Sequence, residues 1–127
     1  MAKKLNIAPM SKPRMTRADA WKGRSVVERY WAFKDELKGL WGNTDLPPRF
    51  RIVFNVAMPA SWPEVSKANP DKCKSLLDGE PHQQKPDIDN FIKAFMDSLC
   101  EDDSYVFEVH AQKFWAREGS IEFEEIK

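Results

Sequence analysis

Ile88, Phe91, Ile92, Phe95 and Leu99 recur at i, i+3, i+4, i+7 and i+11, the spacing of one face of an α-helix. At about 100° per residue, Asp89, Asn90, Lys93 and Asp97 fall within roughly a third of the circumference, away from that stripe. A helix divided in this way has to lay its apolar side on another apolar surface. The chain supplies one in Phe50, Ile52, Phe54, Val56 and Met58, which alternate along a strand that Pro59 stops. Helix on sheet, with that strand central, is the arrangement these two patterns demand.

The remaining segments fit around this pair. Ser25-Val26-Val27-Glu28 has the form of a capping box, and Val26, Tyr30, Phe33, Leu37 and Leu40 then keep helical spacing, so a helix is predicted from Val26 to Leu40 with Gly42 ending it. A short strand is expected at Lys4–Ala8 and a short helix within Glu64–Leu77. Tyr105–Ala116 and Ser120–Ile126 read as two strands joined by a hairpin turn at Arg117-Glu118-Gly119. With 127 residues, the expectation is one α+β domain over 1–127: a mixed β-sheet packed against two main helices, preceded by a basic arm at 1–24.

Function is concentrated in Lys85-Pro86-Asp87-Ile88-Asp89-Asn90-Phe91-Ile92-Lys93. Carboxylates at Asp87 and Asp89 suit a hard cation such as Mg²⁺, which takes one or two protein carboxylates beside waters and substrate phosphates. The chemistry suggested is metal-assisted phosphodiester hydrolysis. Two residues apart on one helix, the carboxylates would point about 200° from each other. Asp87 must therefore stand outside the helix, as an N-cap or pre-cap, for the pair to act together. Helix capping by Asp87 and an i,i+4 pair between Asp89 and Lys93 are the structural alternatives. Asp102-Asp103 lies beyond the far end of the helix, about 16 Å from Asp89. Either a shorter helix that doubles back or a second subunit would have to bring it nearer.

Charge is unevenly spread although the net charge is zero. Residues 1–24 carry seven bases and one acid, a net of +6, whereas residues 97–127 carry three bases and nine acids, a net of −6. The arm is thus suited to phosphates, with Lys12, Arg14 and Arg17 as its contacts, unless it is merely a solvated tail. Trp62, on the polar insertion at 60–85, is the aromatic placed to stack on an unpaired base, and Lys85 can meet a neighbouring phosphate. Without a long apolar run or an apolar leader segment, no membrane association and a cytoplasmic location are expected. Cys73, Cys100, His82 and His110 lack zinc-site spacing, and reduced thiols are expected.

The order Lys85-Pro86-Asp87-Ile88-Asp89-Asn90-Phe91-Ile92-Lys93-Ala94, then Asp97-Ser98-Leu99, then Asp102-Asp103-Ser104-Tyr105-Val106, resembles the RusA family of Holliday junction resolvases. Met58-Pro59-Ala60-Ser61-Trp62 and Gly79-Glu80-Pro81-His82 resemble its phage and prophage branch. The resemblance implies a homodimeric, Mg²⁺-dependent endonuclease that nicks opposing strands of four-way junction DNA inside a bacterial host cell. It assigns Asp87, Asp89 and Asp103 as essential acids and metal ligands, and Lys93 as the essential lysine. The arm at 9–24 and the insertion at 60–85 depart from the shortest family members. A metal nuclease acting on other branched or linear DNA, and a non-catalytic phage DNA-binding protein, are the competing functions.

Overall fold

The computed structural model describes residues 2–13, 24–68 and 72–127, with backbone alone at 24–26. Its elements are β1 (Ala2–Leu5), α1 (Arg24–Trp41), β2 (Arg49–Ala57), α2 (Lys74–Leu77), α3 (Ile88–Leu99), β3 (Glu108–Ala116) and β4 (Ser120–Glu125). The strands form one mixed sheet in the order β1-β4-β2-β3, so β2 is internal, as its alternation predicts.

Phe50, Ile52 and Phe54 of β2 are almost fully buried, beneath α1 and α3 on one side of the sheet. Phe54 stacks on Phe91 at 5.3 Å, and Phe50 meets Phe95 at 6.1 Å. From α1, Tyr30, Phe33, Leu37 and Trp41 enter the same core, with the Trp41 ring edge-on to Phe123 of β4 at 4.7 Å. Leu40 stays 44% exposed, because the buried stripe continues from Leu37 to Trp41. Gly42, at φ 90°, closes α1 with its N–H on the Lys38 carbonyl, as predicted. The helix begins by Arg24, which puts Ser25 inside it rather than at its cap.

The C-terminal strands correct the hairpin expectation. β3 pairs parallel to β2 and β4 pairs antiparallel to it on its other edge, so Arg117–Gly119 crosses over β2. Two strand spacings amount to about 10 Å, which three residues can span. At the crossing, a Cβ on Gly119 would lie 2.8 Å from both Cα and Cβ of Ala8. β1 pairs with β4 from Ala2 opposite Glu124 to Leu5 opposite Ile121, earlier than the Lys4–Ala8 expected. β3 starts at Glu108 instead of Tyr105, because Asp103–Val106 forms a turn closed by the Val106 N–H on the Asp103 carbonyl. Among the described residues of the insertion, the α-helix is Lys74–Leu77.

Candidate active site

Parallel strands need a long crossover, and the one from β2 to β3 carries the acidic cluster. Before entering α3, the chain runs back along the outer edge of β3. The Gly79 N–H reaches the Trp115 carbonyl, the Trp115 N–H reaches the Glu80 carbonyl, and the His82 N–H reaches the Lys113 carbonyl at 2.8, 2.8 and 3.0 Å. Past His82 this ladder stops, and the Lys113 side chain takes over: Nζ donates to the carbonyls of Gln84 at 2.6 Å and Pro86 at 2.8 Å.

Asp87 then occupies the N-cap position of α3 in extended conformation (φ −66°, ψ 151°), and its carbonyl accepts from the Asn90 N–H at 3.1 Å. Its carboxylate makes no capping hydrogen bond. The usual structural duty of an N-cap aspartate is therefore absent, and the side chain is left for other work. Asp87 and Asp89 line one open groove together with His82, Gln84, Lys85 and Lys113. Asp87 also borders a second depression with Lys85, Pro86 and Asn90. Both carboxylates lie at the N-terminal end of α3.

Lys93 stands one turn along α3 with Nζ 3.7 Å from an Asp89 oxygen, both side chains 64% exposed. Such an exposed pair contributes only about 0.3–0.5 kcal/mol, so fold stability is a weak reason for it. Asp97 faces elsewhere: it accepts from the Tyr30 hydroxyl at 2.8 Å and Lys34 Nζ at 3.3 Å, with Lys12 Nζ at 3.8 Å. Burial would raise its pKa, but the hydrogen bonds from Tyr30 and Lys34 and the charges of Lys34 and Lys12 outweigh it and hold the carboxyl below its ordinary value. That cluster fastens α3 to α1. The Lys12 N–H also reaches the Asn90 carbonyl at 3.4 Å, which lays the end of the described arm against α3 beside the site. Arg14 and Arg17 fall outside the described residues.

Asp103 is exposed and lies past the C-terminal end of α3, whereas Asp87 and Asp89 mark its N-terminal end. Twelve helical residues separate those ends by about 18 Å. Among the described residues, no group of three or more Asp, Glu, His or Cys is gathered tightly enough to hold a metal. A helix that doubles back early is not what the chain forms.

Trp62 rests on Trp115 at 4.9 Å, and His82 covers the same indole at 4.2 Å. His82 is buried with Nδ1 unpartnered, and burial, followed by the charge of Lys113, holds its pKa below the ordinary histidine value. The residue missed by sequence reasoning is Lys113. Its signal was present in Val109, Ala111, Lys113 and Trp115, an inner-face alternation interrupted by one lysine.

The groove thus brings two exposed carboxylates together with Lys85 and Lys113, and Lys93 stands beside Asp89. The family model for endodeoxyribonuclease RusA matches residues 6–124, and the chain belongs to the RusA family. It is thus an endodeoxyribonuclease, a Holliday junction resolvase acting in DNA recombination, from a family of metal-dependent nucleases. No curated protein and no solved structure matches it. Among the described residues, no helix is long and apolar enough to cross a membrane.

Proposed function

We propose that the metal is Mg²⁺, that Asp87 and Asp89 hold it, and that a homodimer cuts four-way DNA by paired symmetric nicks in opposing strands. What carries this proposal is the Asp87 carboxylate, which sits at a helix N-cap without capping and shares a groove with Asp89. The donor set fits the ion: carboxylate oxygens on an open surface leave room for waters and a phosphate. Bound there, Mg²⁺ would polarise the phosphate and lower the pKa of an attacking water.

The chain's own groups complete the chemistry. Lys93 leaves its loose pairing with Asp89 to neutralise charge developing on the phosphate. Lys85 fixes a neighbouring phosphate from the edge of the groove, and Lys12, Arg14 and Arg17 supply further backbone contacts from the arm. Trp62 joins them at the insertion, its ring offered to an unpaired base. Asp103 is the third acid. Because α3 keeps it far from Asp87 and Asp89 within one chain, the partner subunit brings it to them, which ties activity to a two-fold dimer. The whole chain, 1–127, acts as one nuclease domain in the cytoplasm of a bacterium carrying a phage or prophage.

A synthetic four-way junction incubated with the protein and Mg²⁺ should give paired, symmetric nicks while linear duplex stays largely intact. Equal cutting of both would replace junction resolution by a broader nuclease activity. Failure with Mg²⁺ alongside cleavage with another divalent ion would replace the metal.

A further inference from the structure

The inner register of β3 reads Val109, Ala111, Lys113 and Trp115, opposite Phe50, Ile52, Phe54 and Val56 of β2. Three of the four suit the helix-covered side of the sheet, and the fourth is a half-buried lysine beside the Phe54–Phe91 stack. A lysine there gives up hydration without improving the packing, so core formation does not explain it. Its partners do. The main chain of Lys113 receives the last ladder bond from His82, and its ammonium then takes the carbonyls of Gln84 and Pro86. Pro86 has no N–H with which to prolong a backbone ladder, so a side-chain donor is what can hold this stretch. The next residue is Asp87.

We propose that Lys113 is a positioning residue for the metal-binding carboxylates: it secures the Gln84–Pro86 turn so that Asp87 stands on the same groove as Asp89. The inference rests on the nuclease reading of that groove, yet it can be tested apart from it. Lys113→Met keeps side-chain length, removes the donors and suits the apolar register. Hydrogen exchange measured by mass spectrometry on metal-free protein should quicken over residues 83–90 in this variant, with β2 and β4 unchanged. In junction cleavage, the Mg²⁺ midpoint should rise about tenfold or more, the loss typical when groups that orient metal ligands are removed. Lys113→Arg, which restores donors, should recover part of that shift.

Wild-type exchange over 83–90 in Lys113→Met would overturn the positioning role. So would faster exchange across the whole sheet, which marks a lysine needed only for folding. If wild-type protein leaves junctions uncut, the nuclease reading fails, while the exchange comparison still decides the role of Lys113.

Discussion

At the scale of single residues, the proposed role of Asp87 rests on a bond it does not make. Asp87 has the position and backbone angles of an N-cap, yet its carboxylate caps nothing. Asp89 spends its charge on an exposed lysine pair of little energetic worth. Asp89→Asn should therefore lower junction cleavage by about 100-fold or more, beyond the loss expected for outer-shell groups. It should preserve or tighten junction binding, since a charge that repels phosphate is gone. Gel-shift and cleavage assays on one preparation would check both. Cleavage at the wild-type rate would remove Asp89 from the metal site. The need for Asp87 to leave the helix was legible from a spacing of two on a 100° wheel. Lys113 left only a break in the alternation of Val109, Ala111 and Trp115, and what that break means depends on its register with Phe54.

At the scale of elements, the clearest pattern was the most accurate. The stripe from Ile88 to Leu99 marks α3 to the residue, and five alternating apolar side chains place β2 within one residue at each end. Neighbour order was hidden, since three residues at Arg117–Gly119 suit either a hairpin or a crossing over one strand. The pairings of β3 and β4 with β2 make the distinction, and the crossing brings Gly119 close to Ala8, where its missing Cβ leaves room. Gly119→Ala should cost about 1–3 kcal/mol, as overpacking does, read from a urea midpoint at unchanged slope. A variant as stable as wild type would refute the close approach.

The 79–86 segment carries a pH dependence of its own. Burial, then Lys113, lowers the pKa of His82 in the folded state, so its stabilising effect is complete above the unfolded value of about 6.5. It declines as pH falls toward the lowered folded value, where the unfolded chain binds the extra proton. Thermal midpoints should therefore drop below pH about 6.5 in wild type and less steeply in His82→Phe. Parallel curves would remove His82 as the source.

At the scale of the molecule, one chain holds the three acids of the proposed site at two ends of one helix. α3 holds Asp87 and Asp89 at one end and is followed by Asp103 at the other, and no arrangement of the described residues closes that distance. A substrate with two equivalent strands to cut calls for two equivalent sites, and the proposed two-fold dimer would supply both the second site and the third acid. The order of the acids was legible in the sequence, but their separation in space follows from the length of α3 and the direction of the chain after it. Mixing two inactive variants, Asp89→Asn and Asp103→Asn, tests this most directly. If the partner supplies Asp103, the mixed dimer has one intact site, and nicking of a single junction strand returns. If each chain completes its own site, both sites stay broken and the mixture remains as inactive as its components.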